Sequence, residues 1–174
     1  MIKEVIDMQH FERLAKQWNS PENELFWTTQ SCSQGRHFDP KNIESNFRSL
    51  LHHSIQHEGI MPFIKMWSYE ENTISLGGCV FLVTKNMMMQ ETLLEELLWQ
   101  CPGRYPHSIK DKKILLSLLD CVEDYGRKNK ISTMKITRDP RLHRFTKEKN
   151  SGVINSYTRS GYEATGILYT KRII

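Results

Sequence analysis

Three β-patterned runs follow one another between Phe63 and Trp99, and they constrain this chain more than any other feature: Phe63-Ile64-Lys65-Met66-Trp67, Ile74 to Val83, and Thr92 to Trp99. A polar turn at Glu70-Glu71-Asn72 separates the first two, and a Met-rich turn separates the second from the third. Three consecutive antiparallel strands fit this pattern best. The third run is ambiguous in isolation, because Leu93-Leu94-Glu95-Glu96-Leu97-Leu98 is built of strong helix formers. Its length and its position between the Met-rich turn and Pro102-Gly103 favour a strand.

Helical periodicity lies on either side of this sheet. Phe11, Leu14, Ala15 and Trp18 recur at helical spacing after a short strand at Ile2, Val5 and Ile6, and Asn19-Ser20-Pro21 stops the pattern. Asp39-Pro40 offers an N-cap followed by proline at the first helical position, and Ile43, Phe47, Leu50, Leu51 and Ile55 form an apolar stripe ending at Gly59. The clearest helix carries Ile114, Leu115, Leu118, Leu119, Val122 and Tyr125 and closes in basic residues, as the helix dipole favours. Ile131 to Thr137 then reads as a strand, Arg141 to Ser160 as loop and helix, and Tyr162 to Ile173 as a last strand. The order β-α-α-β-β-β-α-β-α-β predicts one mixed sheet with helices on its faces, a single α/β domain over residues 1–174.

Composition supports an ordinary globular core: 174 residues, 39% hydrophobic and 25% charged, with apolar residues spread along the whole chain. No signal peptide or membrane-spanning run is evident, so the reading is intracellular, in the cytoplasm or within a virion. Cys32, Cys79, Cys101 and Cys121 are scattered without a C-x-x-C pair, which argues against a zinc cluster or disulfide framework. The net charge of +4 suits an anionic partner, nucleic acid or a phosphate-rich cofactor, without choosing between them. His53 and His57 stand four apart on a predicted helix but lack a third metal ligand, and read as solvent-facing. A P-loop, a dinucleotide fingerprint and a G-x-S-x-G elbow are all absent, which argues against kinase, dehydrogenase and hydrolase chemistry.

Two stretches, Glu95 through Leu119 and Asn150 through Lys171, together with the order of elements, resemble the GNAT acyltransferase superfamily. The second stretch has Asn150, then Tyr157 seven residues on, then Gly161-Tyr162, which is similar to the family's pattern near its cofactor. The resemblance implies a mixed, mostly antiparallel sheet with a splayed parallel strand pair. It also implies acetyl-CoA or another acyl-CoA as donor and an amine-bearing acceptor. Residue by residue, Tyr157 becomes the acid that protonates the departing thiolate, Asn150 a contact to the pantetheine arm, and backbone donors at Trp99, Gln100 and Cys101 the groups that orient the thioester. A carboxylate on the central strand removes the ammonium proton, because only a neutral amine can attack. Glu96 matches that position best, with Glu95 facing the other side of the strand. Taken without the resemblance, Tyr157 is an amphipathic core residue on a helix and one or both glutamates are solvated strand residues.

One departure bears on activity. The family opens its long helix with a glycine-rich turn whose N–H groups approach the pyrophosphate. Here the equivalent stretch is His107-Ser108-Ile109-Lys110-Asp111-Lys112, with Lys113 following. The positive potential of Lys110, Lys112 and Lys113 can still hold phosphate at longer range, which predicts weak donor binding or none. Ser108 and Asp111 equally make a capping arrangement for a purely structural helix start. A catalytically silent GNAT-fold component, a pseudoenzyme in a phage-type particle or other assembly, is therefore the alternative function. A nucleic-acid-binding or nucleic-acid-modifying variant ranks third, on the basic stretch Arg138, Arg141, His143, Arg144, Lys147 and Lys149.

Overall fold

The computed structural model describes residues 1–18, 25–28, 40–57, 59–86, 88, 90–102 and 109–136; for residues 18, 25–28, 40–43, 99–102, 109, 111 and 112 the backbone alone is described. These residues lie within one compact unit, Met1–Thr137.

Among the described residues six strands form one sheet: β1 (Ile2–Glu4), β2 (Leu25–Thr28), β3 (Phe63–Glu71), β4 (Ile74–Asn86), β5 (Glu91–Pro102) and β6 (Thr133–Lys135). The order across the sheet is β1-β3-β4-β5-β2, with β6 also beside β5. All pairings are antiparallel except β5 with β6, where Leu93↔Thr133, Leu94↔Met134 and Glu95↔Lys135 run parallel. The ambiguous Leu-Glu run is thus strand, as its length and flanks predict, and the expected parallel pair is present. The four-residue strand β2 falls in a stretch where the sequence predicts no element.

The turn after β3 also differs from expectation. Glu70 and Glu71 remain in the strand, and the tight turn is Asn72-Thr73, both left-handed at φ 49° and 67°, the backbone a two-residue hairpin requires. β4 carries one extra residue opposite this end of β3, since Tyr69 pairs with Gly77 but Glu70 with Ser75.

Two helices cover one face. In α1 (Met8–Trp18) the Asp7 carboxylate accepts the His10 N–H at 2.7 Å, a side-chain N-cap, and Phe11, Leu14 and Ala15 are fully buried. The expected stripe on α2 (Pro40–Gln56) is narrower than its periodicity predicts. Leu51 is buried and Phe47 packs on the core, but Leu50 and Ile55 stay 42% and 39% exposed. The inward line is instead completed by Ser54, whose hydroxyl accepts the Ile64 N–H at 2.9 Å and fastens α2 to β3. Val5, Ile64, Met66, Val80 and Leu98 complete this core.

On the other face lies α3 (Ile109–Lys128), whose Ile114, Leu118, Leu119 and Val122 are buried as the stripe predicts. Gly126 lets the helix approach β5, since a Cβ there would stand 3.3 Å from Leu94 Cδ1. The helix ends in a Schellman arrangement, with Ile131 N–H on the Gly126 carbonyl, Lys130 N–H on that of Arg127, and Lys130 left-handed. That reversal delivers the chain to β6.

Candidate active site

The site expected from the sequence centres on β5, and its register decides which side chains meet. Val80 pairs with Leu98 but Phe81 with Glu96, so Leu97 is the surplus residue of a β-bulge. Leu97 and Leu98 both belong to the α1/α2 core. Glu96 shares the opposite face with its cross-strand partner Phe81. That face is aromatic: Trp67 stands edge-on to Phe81, centroids 6.5 Å apart, and edge-on to Tyr125 of α3 at 5.4 Å. Burial pushes the Tyr125 hydroxyl above its ordinary range, and the Lys65 ammonium, 5.5 Å from the ring centroid, opposes that rise.

Glu96 is only 4% exposed, a position proteins seldom give a glutamate. Glu95 pairs with Leu82, which packs on the α1/α2 core, and is half-buried. The two carboxylates therefore lie on opposite faces, as strand alternation predicts. Neither is a fully solvated strand residue.

The outer edge of β5 is covered in two pieces. β6 takes Leu93 to Glu95, β2 takes Trp99 to Pro102, and Glu96, Leu97 and Leu98 form the interval between them. The backbone at Trp99, Gln100 and Cys101, expected to orient a thioester, is therefore engaged. Trp99 and Gln100 pair with Cys79 and Gly78 of β4 on one side and with Thr28 and Trp27 of β2 on the other, and Cys101 pairs with Phe26.

The start of α3 lies near the β3–β4 hairpin, because the Lys110 ammonium is 2.8 Å from Glu71 Oε2. Lys110 thus already has a carboxylate partner, while Lys113 is exposed and Lys112 belongs to the same first turns of the helix. Asn150, Tyr157, Gly161 and the basic stretch from Arg138 to Lys149 lie outside the described residues. Among the described residues no three His, Cys, Asp or Glu side chains cluster as a metal site, and His53 and His57 are exposed with ring centroids 4.6 Å apart. Cys79 is buried and Cys121 half-buried, and burial pushes the Cys121 thiol upward, away from nucleophile chemistry.

A second buried carboxylate, Glu70, escaped the sequence reading because its charge suggests a turn. Its side chain is 1% exposed and is held by Lys3 Nζ at 3.1 Å, Arg13 Nη2 at 2.8 Å, Ser68 Oγ at 2.7 Å and His10 Nε2 at 2.6 Å. Burial alone would raise its pKa, but these hydrogen bonds together lower it to about 2. The available signal was parity: Ile64, Met66, Ser68 and Glu70 continue one inward-facing row of β3. Glu70 fastens α1 to the hairpin end of β3, and Arg13 and Gln17 add hydrogen bonds to the Thr73 carbonyl at 2.7 and 2.8 Å.

A mixed, mostly antiparallel sheet with a bulged strand beside a parallel neighbour, helices on both faces, is the fold of the GNAT acetyltransferases. Solved structures of that class match essentially the whole chain. A structure titled a probable acetyltransferase is 12% identical with a TM-score of 0.64, covering 100% of this chain and 98% of its own. An aminoglycoside acetyltransferase from an uncultured soil metagenomic sample is 10% identical with a TM-score of 0.59, covering 100% and 98%. A GNAT family acetyltransferase from Staphylococcus aureus is 11% identical with a TM-score of 0.57, covering 99% and 98%. No protein-family model matches the sequence, and no curated protein does either. No described helix is long and apolar enough to cross a membrane.

Proposed function

We propose that this chain is an N-acyltransferase that moves an acyl group from acyl-CoA, acetyl-CoA in the simplest case, onto an amine. The observation that carries the reading is Glu96, a carboxylate buried at the bulge where β5 passes from β6 to β2. When bound, acyl-CoA supplies an activated thioester carbonyl and a thiolate leaving group. Glu96 takes the proton from the acceptor ammonium, directly or through water, freeing the nitrogen lone pair for attack. Tyr157 gives its proton to the departing sulfur and Asn150 steadies the donor arm, as the resemblance implies. The lysines at the start of α3 attract the donor phosphates.

The test compares Glu96→Gln with Glu95→Gln in an acetyl-CoA assay over a panel of small amines and peptides. Glu96→Gln loses roughly 100-fold or more in kcat, the scale of general-base catalysis, with little change in the donor KM. Glu95→Gln, on the opposite face, stays close to the parent. Equal effects of the two variants contradict the assignment.

The second reading, a silent GNAT-fold component of a larger assembly, is favoured by the lysine-bearing start of α3 and the tie between Lys110 and Glu71. Lack of turnover with every amine, together with lack of acetyl-CoA binding, decides for it.

A further inference from the structure

We infer that β2 is a displaceable strand that gates donor access: it occupies the β5 edge an acyl donor needs, and must leave before the donor can seat. This rests on the acyl-donor reading above and concerns how that site is regulated.

The interval between the coverings of β5 is three residues, Glu96 to Leu98. At about 3.3 Å per residue it spans roughly 10 Å. A pantetheine arm carries two amides in line and exceeds that length, so an arm that pairs with β5 here continues along the strand past one end of the interval. The direction is set by charge. The cationic start of α3 follows the C-terminal end of β5, and Lys110 reaches Glu71 at the hairpin beside it. An arm whose phosphates seat there runs along Trp99 to Pro102, the four residues that β2 covers in antiparallel register. Both ligands, strand and arm, are extended and compete for the same main-chain groups.

β2 has the character of a strand that can leave. It is four residues long, below the commonest strand length, and among the described strands it ends the sheet order, with β5 as its pairing partner. The sheet path β1-β3-β4-β5 is continuous without it.

The test pins or loosens β2 and measures acetyl-CoA affinity by calorimetry at low salt. The register sets Phe26 opposite Cys101, and directly opposed residues have Cα atoms about 4.5–5.5 Å apart, within disulfide range. Phe26→Cys in a Cys32→Ser background therefore forms a reversible clamp. Phe26→Pro/Trp27→Pro removes two successive N–H groups, one of which must point at β5, and so loosens the strand. If the competent state is the minor one, loosening tightens apparent binding by roughly tenfold or more, in proportion to the population released. The oxidised clamp abolishes binding and reduction restores it. Amide exchange should show the Phe26–Thr28 protection lost when acetyl-CoA is added. Equal affinity of oxidised and reduced clamp overturns the gate while leaving the acyl-donor reading in place. Absence of binding in every form, including the loosened one with its fold verified by circular dichroism, overturns the acyl-donor reading and the gate with it.

Discussion

Glu70 Oε1 lies 2.6 Å from His10 Nε2 and 2.8 Å from Arg13 Nη2, so one carboxylate oxygen on β3 receives two side chains from successive turns of α1. Its depressed pKa makes this lock pH-dependent. A carboxylate held at about 2 against an ordinary 4.5 contributes its full stability above the ordinary value and loses it as pH falls from there toward 2. The contribution is on the order of 3 kcal/mol. Urea unfolding should show Glu70→Gln less stable than the parent at pH 7, by about 3 kcal/mol or more because the Lys3 and Arg13 cations lose their partner. The difference should shrink steadily between pH 4.5 and 2. A difference constant over that range would contradict the lock.

The hairpin that Glu70 adjoins carries its own strain. Thr73 is a β-branched residue at φ 67°, where a Cβ and a branched side chain are disfavoured. Its carbonyl, the acceptor for Arg13 and Gln17, belongs to the backbone and survives substitution. Thr73→Gly therefore stabilises the protein by about 1 kcal/mol, read as a raised thermal midpoint. A lowered midpoint would mean that the Thr73 hydroxyl, 2.5 Å from the Asn72 carbonyl, matters more than the strain.

The lysines opening α3 set the salt response of donor binding. Lys110 shares its charge with Glu71 on an exposed surface, where such pairs are weak. Acetyl-CoA binding by the parent is expected to be weak at physiological ionic strength and to fall steeply as salt rises. Lys110→Gly/Lys112→Gly allows closer main-chain approach to phosphate, and should strengthen binding and flatten the salt dependence. Tight, salt-insensitive binding by the parent, measured by calorimetry, would show that side-chain charge is not what holds the donor.

Much of this architecture was legible because it depends on local pattern. The Ile114 to Tyr125 stripe, the proline-started α2 and the three central strands need only periodicity and turn residues, and the opposition of Glu95 and Glu96 needs only strand alternation. What escaped depends on partners distant in the chain. Leu25-Phe26-Trp27-Thr28 becomes a strand through pairing with residues 99–102, a contact that no local pattern announces. Glu70 is buried because Lys3, His10 and Arg13 arrive from some sixty residues away. Leu50 and Ile55 looked inward by spacing, but α2 meets the sheet along the line of Phe47, Leu51 and Ser54.

The bulge at Leu97 separates two demands usually carried by the same residues. Counted without Leu97, β5 alternates strictly against β4, with Glu96 opposite Phe81 and Leu98 opposite Val80 on their present faces. A chain shortened by that one residue would keep every partner in the ladder and both carboxylates on their own sides, giving up only the Leu97 contact to the core. The strand would simply run straight. Leu97 is thus dispensable to the pairing and indispensable to the bend, so a one-residue deletion can alter the contour of the edge beside Glu96 while leaving the sheet's connectivity intact.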